Sequence, residues 1–114
     1  MLHRALACAV GSNWLNKAEI DVETVRRAAA VVCDDVTACK HEAGELAAAS
    51  EAGAFDWSSA VALGDVVGKR RTVRRSSADV IVFKSVGLAV EDVALGVEIL
   101  HRAQRAGRGT PLPF

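Results

Sequence analysis

Short apolar runs divide the chain and predict buried strands. Residues 5–10, 29–33 and 79–85 each contain such a run, and each run is followed by a glycine or a polar residue. Continuous apolar runs of this length are typical of strands that are covered on both faces of a sheet. The pattern therefore predicts three strands that lie inside a layered fold.

Helical spacing of apolar residues occupies the stretches between these runs. Asp21 precedes a segment with acidic residues in its first turn and predicts the start of a helix. Apolar residues recur at intervals of three and four from residue 36 to residue 50, which predicts a helix that Gly44 interrupts or ends in its first part. A further short helix is predicted over residues 58–63, with Gly64 as its stop.

The longest predicted helix follows Gly87. Glu91 and Asp92 fall in its first turn, and arginines lie at or just past its end, as the helix dipole favours. The residues after the helix, 108–114, are predicted to form a flexible tail. The seam of the helix alternates spacings of three and four and contains Val90, Val93, Val97, Leu100 and Gln104.

Strands separated by helices predict an α/β fold. The expected architecture is a partial, Rossmann-like parallel sheet of about three strands, with flanking helices and a long C-terminal helix. In sheets of this kind, ligands bind in the crevice outside the carboxyl ends of the strands. The residues that follow the strands are therefore the candidate site residues.

Small and polar residues follow the first and the last predicted strand. If both strands are parallel members of one sheet, their ends open onto the same edge, where glycine permits close approach and hydroxyl and amide groups orient a polar ligand. Lys17 is close enough in sequence to reach a phosphate or a carboxylate there. Such residues also form ordinary turns, and spacing alone favours that interpretation. The residues concerned are Gly11, Ser12, Asn13, Ser85, Val86 and Gly87.

Composition narrows the class of protein. The chain has 114 residues, of which 51% are apolar, and this length allows one domain. Fourteen basic residues offset fourteen acidic ones, so the net charge argues against a nucleic-acid or membrane partner. No apolar run approaches the ~18 residues that a membrane span needs. The basic cluster within residues 69–75 is interpreted as a solvated loop, because it contains no aromatic residue for base stacking.

The cysteines predict a reducing compartment. Cys8, Cys33 and Cys39 are odd in number and contain no C-x-x-C pair, which argues against a disulfide scaffold and favours the cytoplasm. Cys33 and Cys39 with His41 match no standard spacing of zinc ligands. No metal site is predicted.

Two longer motifs resemble those of a known family. Residues 9–14 read AVGSNW and precede KAEID, and residues 82–92 read VFKSVGLAVED. Between them, the segments DD, EAGE and LGDVV occur at residues 34–35, 42–45 and 63–67. In order and spacing, these segments resemble the ornithine cyclodeaminase/μ-crystallin family over nearly the whole chain.

The resemblance implies NAD or NADP as the cofactor and a small amino acid or imine as the substrate. It implies a substrate contact at Val86. In cyclodeaminases of the family, an Asp that transfers protons stands at the position of Asn13, and an amide cannot act as an acid or a base. Asn13 therefore occupies the catalytic position but cannot transfer a proton, which argues against ornithine cyclisation. The implied cofactor contacts are Gly11, Ser12, Asn13, Lys17 and Ser85.

The resemblance also implies that part of the dinucleotide domain lies outside this sequence. No G-x-G-x-x-[GA] phosphate loop occurs in the chain, and the family carries that loop before the segment that Gly11 matches. Residues 1–87 are therefore expected to form the C-terminal part of a dinucleotide-binding domain. Residues 88–107 are expected to be a helix that returns to the dimerisation and substrate domain.

Two functions follow as expectations. The first is the C-terminal fragment of an NAD(P)-dependent, homodimeric protein that oxidises or deaminates an amino acid, or reduces an imine, by hydride transfer. Such a fragment is expected to be inactive alone. The alternative is a non-catalytic binding or assembly remnant of the same fold.

Overall fold

A parallel sheet of four strands organises the protein. The computed structural model describes residues 5–113. The strand order is β1-β4-β2-β3, and every pairing is parallel. Lys84 at the end of β4 lies beside the last residues of β1 and β2, Ala9 and Cys33, so three strands end at one level. The strands are β1 (Leu6–Ala9), β2 (Ala30–Cys33), β3 (Val61–Ala62) and β4 (Ile81–Lys84).

Helices connect the strands and begin largely where the sequence predicts. The Asp21 carboxylate accepts a hydrogen bond from the Thr24 amide (2.8 Å), and Asp35 caps the helix after β2 in the same way. Ala43 separates two consecutive helices, which confirms the predicted interruption near Gly44. The helices are α1 (Val22–Arg26), α2 (Val36–Glu42), α3 (Gly44–Glu51), α4 (Leu63–Val67) and α5 (Ala89–Arg105).

The α/β class and the three predicted strands are confirmed, but the predicted helix over residues 58–63 is wrong. Residues Trp57–Ser59 form a single 3-10 turn, β3 follows, and α4 begins at Leu63 and includes Gly64. Val61 pairs with Val32 of β2, and sheet pairing overrides the local helical pattern there. Gly64 lies inside α4 and does not adopt a positive φ, so it does not end the helix and costs only helix propensity.

The core lies mainly on one face of the sheet. Side chains of β2 and β4 on that face pack against α1, α2 and α3, and most of them are small, as the composition requires. On the other face, Val32, Val61 and Ile81 form a smaller cluster beneath α4. An apolar groove of about 350 Å³ remains open beside this cluster. The main core contains Val25, Val31, Cys33, Cys39, Ala43, Leu46, Ala49, Val82 and Val86.

The C-terminal helix contributes nothing to this core. None of the residues of α5 is buried, and Val90, Val93 and Leu100 of its seam are 70%, 65% and 55% exposed. Its first turn holds Glu91 and Asp92, as predicted. The seam therefore faces solvent along its length.

A close approach of the chain to α3 explains one glycine. Gly44 is buried, and a Cβ atom at this position would lie 2.5 Å from the Leu15 carbonyl oxygen and would overlap the Lys17 carbonyl oxygen. Both obstacles are backbone atoms, which cannot move aside as a flexible side chain can. The lack of a side chain at Gly44 thus allows the segment after β1 to pack against the start of α3.

Replacement of Gly44 by alanine is expected to destabilise the fold by about 1–3 kcal/mol, because the added methyl group forces the segment at Leu15–Lys17 away from α3. Urea unfolding followed by circular dichroism measures the change. Gly96→Ala is the control, since its Cβ would meet no atom within 4 Å and alanine favours a helix. Equal stability of the G44A variant and the parent chain would contradict the close approach.

Candidate functional site

The turns after β1 and β4 meet at the carboxyl edge of the sheet and enclose a cavity. The Ser85 amide donates to the Ala9 carbonyl (3.1 Å), which extends the pairing of the two strands into the turns. The cavity is about 260 Å³ and thus smaller than the ~300–1,000 Å³ typical of pockets for drug-sized ligands. Its lining consists of Val10, Gly11, Ser12, Asn13, Ser85, Val86 and Gly87.

The cavity brings together every residue that the sequence singles out as a site residue except Lys17. The Lys17 amide donates to the Trp14 carbonyl (3.0 Å), and the side chain is exposed outside the cavity lining. The Val86 side chain is 7% exposed and belongs to the core. Contact of Lys17 with a cofactor, and of Val86 with a substrate, stays a prediction.

Glu19 holds the turn after β1. One carboxylate oxygen, Oε2, accepts hydrogen bonds from the Gly11 amide (2.8 Å) and the Ser12 amide (3.2 Å). A Cβ atom at position 11 would lie 2.5 Å from the other oxygen, Oε1, so glycine permits this approach. Sequence reasoning missed the role of Glu19, although its place in the KAEID motif was a signal.

Lys84 reaches the same turn from inside the protein. Its side chain is fully buried, and Nζ lies 2.8 Å from Glu45 Oε1 and 3.6 Å from Glu19 Oε2. The ammonium group also donates to the Ser12 carbonyl oxygen. The only sequence signal for this arrangement is a lysine at the end of an otherwise apolar strand, and sequence reasoning assigned it to the strand alone.

Asp34 holds the turn after β4. Its Oδ2 atom accepts hydrogen bonds from the Ser85 hydroxyl (2.7 Å), the Val86 amide (2.9 Å) and the Gly87 amide (3.1 Å). Gly87 has a φ of 89°, which glycine adopts without strain. Partial burial opposes ionisation of Asp34, but the hydrogen bonds donated by Ser85 and by backbone amides outweigh it and lower the pKa of the carboxyl group.

The arrangement offers fixed polar groups to a ligand rather than a reactive side chain. The Ser12 hydroxyl is buried and has no hydrogen-bond partner among residues 5–113. Asn13 is exposed beside it and supplies an amide. The cavity therefore combines backbone groups, an amide and hydroxyl groups within about 260 Å³. A glycine-rich loop for the pyrophosphate does not occur in the sequence.

The other features to consider in the described residues are a metal site, a membrane span and a reactive thiol. No group of three His, Cys, Asp or Glu residues within them could hold a metal ion, and no helix there is long and apolar enough to cross a membrane. Cys33 and Cys39 are buried free thiols. A hydrogen bond with Cys33, together with burial, raises the pKa of Cys39, so that thiol stays protonated.

The basic cluster within residues 69–75 is partly structural. Arg70 Nε donates to the Asp65 carboxylate (2.8 Å), beside the end of α4. The Arg74 guanidinium donates to the carbonyl oxygens of Asp79 (2.6 Å) and Ala5 (3.1 Å). These contacts link the loop to the amino ends of β4 and β1, far along the strands from the cavity.

Replacement of Asp34 by asparagine is expected to destabilise the protein by about 1–3 kcal/mol at neutral pH, because an amide cannot accept hydrogen bonds at both of its heavy atoms. The pKa of Asp34 is lower in the folded state than in the unfolded state. Its stabilisation is therefore complete above about pH 4 and is lost as the pH falls through the folded pKa. Urea unfolding at neutral and acidic pH measures this difference.

Asp21→Asn is the matched control, because asparagine caps a helix about as well as aspartate. Its stability at neutral pH should stay close to that of the parent chain. A D34N variant whose loss of stability is the same at both pH values would contradict the ionised role of Asp34.

Comparison with known proteins places the chain in a family. A Δ1-pyrroline-2-carboxylate/Δ1-piperideine-2-carboxylate reductase from Azospirillum brasilense is 42% identical over 89 residues, which are 78% of this chain and 26% of that protein. The structure of Δ1-pyrroline-2-carboxylate reductase from Thermococcus litoralis with NADH and L-proline is similar with a TM-score of 0.81 at 25% identity, covering 96% of this chain and 38% of that one.

A second solved structure, an archaeal alanine dehydrogenase dimer with bound NAD, is similar with a TM-score of 0.75 at 30% identity, covering 96% of this chain and 34% of that one. The chain spans about a third of the length of the curated relatives that it matches over 93% of its own length. Residues 3–107 match the family described as ornithine cyclodeaminase/mu-crystallin. The chain therefore belongs to the ornithine cyclodeaminase/mu-crystallin family.

Proposed function

We propose that this chain supplies the nicotinamide side of the cofactor site in an NAD(P)-dependent enzyme that reduces an imine or oxidises an amino acid. The observation that carries the proposal is the meeting of the turns 10–13 and 85–87 in one cavity at the carboxyl edge of a parallel sheet. Both turns are held by carboxylates, those of Glu19 and the half-buried Asp34, so their backbone groups are fixed before a ligand arrives.

Within this proposal, bound nicotinamide supplies the hydride chemistry, and the chain supplies orientation. The unpaired Ser12 hydroxyl is placed to hydrogen-bond a polar group of the ring or its ribose. Asn13 can orient a substrate carboxylate or imine through its amide but cannot transfer a proton. The amide at position 13 therefore argues against the cyclisation of ornithine. It favours a redox reaction in which another group transfers the proton. In the complete enzyme, Lys17 would meet the cofactor and Val86 the substrate.

The proposed substrate class is a cyclic imino acid, or the amino acid that corresponds to it. The activities of the relatives support this class, since they include reductases of Δ1-pyrroline-2-carboxylate. A cytoplasmic location accords with the free thiols of Cys33 and Cys39. The second candidate is a non-catalytic binding or assembly protein of the same fold, which Asn13 and the absence of a phosphate loop in the sequence favour.

Reduced nicotinamide mononucleotide is expected to shift the amide resonances of residues 11–13 and 85–87 in a two-dimensional NMR titration of the chain. AMP is the control ligand and should leave these resonances in place, because the adenosine side of a dinucleotide site is not proposed here. Shifts with AMP alone, or no shift with the reduced mononucleotide, would contradict the proposal.

NADH itself should bind weakly. Calorimetry is expected to give a Kd no tighter than about millimolar, equivalent to roughly 4 kcal/mol, because no pyrophosphate contacts are supplied. Clearly tighter binding would show that the chain holds the phosphates by some other group, and would contradict the expected lack of pyrophosphate contacts.

The helix α5 is proposed to be the chain's contribution to subunit pairing. Its seam is exposed, and the acidic first turn and the basic last turn, with Arg102 and Arg105, make it complementary to an antiparallel copy of itself. In a pair centred on Val97, residues at spacings of three and four along the seam meet their counterparts. Opposite charges then lie next to each other at both ends.

Val97→Asp is expected to weaken self-association of the chain at least tenfold in sedimentation equilibrium, because it places a charge in the apolar seam. Ile99→Asp is the control. Ile99 is also exposed, at 57%, but lies on the opposite side of the helix, so its replacement should leave association unchanged. A parent chain that stays monomeric at high concentration would contradict pairing through α5.

A further inference from the structure

We propose that the cluster of Lys84, Glu19 and Glu45, in which Lys84 and Glu45 are fully buried and Glu19 is partly exposed, positions the turn at residues 11–13. The inference rests on the proposed function, because it concerns the fit of that turn to a nicotinamide ring. The three residues come from the segment before α1, from α3 and from β4. They act through the backbone of Gly11 and Ser12 and are not themselves in the lining of the cavity.

The cluster fixes both polar sides of the turn. Lys84 Nζ donates to the Ser12 carbonyl oxygen, and Glu19 accepts from the amides of Gly11 and Ser12. Lys84 and Glu19 also lie within 3.6 Å of each other, so each limits the movement of the other. With three backbone groups held, the peptide planes of the turn have one orientation. The Ser12 hydroxyl, which has no partner in the described residues, is thereby left for a ligand.

Glu45 is the anchor of the cluster. Its side chain is fully buried in α3, and Oε1 lies 2.8 Å from Lys84 Nζ. Neither oxygen of its carboxylate accepts a hydrogen bond from the described residues, so the ion pair with Lys84 is the polar contact that Glu45 makes there. Glu45 therefore serves to hold the ammonium group in place. The position of the Lys84 ammonium group therefore depends on Glu45, and the positions of Glu19 and the turn depend on Lys84.

Pairing of β4 with its neighbours does not require the ammonium group of Lys84. Lys84 lies in β4, which pairs with β1 on one side and β2 on the other, so its backbone is held by the sheet. Burial of an ammonium group and a carboxylate is unfavourable compared with apolar side chains of similar volume, and such replacements are often neutral or stabilising. A buried pair that the sheet does not require, and that ends on a site turn, fits a role in positioning.

The double variant Lys84→Met/Glu45→Leu tests the proposal, because it removes the pair without leaving a lone buried charge. We expect its melting temperature to be close to that of the parent chain. We expect reduced nicotinamide mononucleotide to bind at least tenfold more weakly. Amide exchange of Gly11 and Ser12 should become at least tenfold faster, whereas exchange at Val86 and Gly87 should be unchanged, because Asp34 still holds that turn.

Three further variants separate positioning from general effects. Glu23→Gln/Arg26→Met removes an exposed ion pair of 3.3 Å on α1 and should change neither binding nor exchange in the turn. Glu19→Gln keeps an acceptor oxygen and should bind more tightly than Glu19→Leu, which keeps none. Equal binding by these two Glu19 variants would indicate that Glu19 does not hold the turn.

The outcomes distinguish this inference from the proposed function. Parent-like binding and exchange in the K84M/E45L variant would overturn the positioning role and leave the proposed function intact. If the parent chain does not bind the mononucleotide, the proposed function fails, and amide exchange still decides the inference. Faster exchange confined to Gly11 and Ser12 would support positioning, and unchanged exchange would overturn it.

Discussion

The site depends on the position of β4 between β1 and β2. Because all three strands run parallel and end at one level, the turns that leave β1 and β4 emerge side by side at the carboxyl edge. An order that placed another strand between β1 and β4 would move these two turns apart by a further strand spacing of about 4.8 Å. The cavity, the contact of Asp34 with the turn after β4, and the access of Lys84 to the turn after β1 all follow from this one strand order.

Charged groups at this edge stabilise the backbone of the turns. Asp34 comes from the end of β2, Glu19 from the segment before α1, and Lys84 from the end of β4, and each contacts backbone groups of a turn that lies elsewhere in the sequence. Hydrogen bonds to ionised groups are stronger than those between neutral groups. Small turns that carry little apolar surface are therefore held in a definite shape for a ligand.

Much of this could be predicted from residues that signal their own structure. Asp21 is predicted as a helix cap by its chemistry, and the cap is present. Residues 11–13 and 85–87 stand out because they follow apolar runs and match motifs of the family. By contrast, β3 has only two residues and depends on pairing with β2, so no periodic pattern marks it. The contact of Gly44 with the segment after β1 likewise has no local signal.

The sequence by itself determined the α/β class, the parallel strands, the family and most of the residues that line the cavity, because apolar runs, caps and motifs are local properties. Only the tertiary structure decided which charged residues hold the two turns. Taken separately in the sequence, these residues look like two surface acids, Glu19 and Glu45, and a lysine at the end of a strand, Lys84. Their roles arise from the crossing of the chain between β1, α3 and β4, which brings an ammonium group and two carboxylates together over long sequence separations.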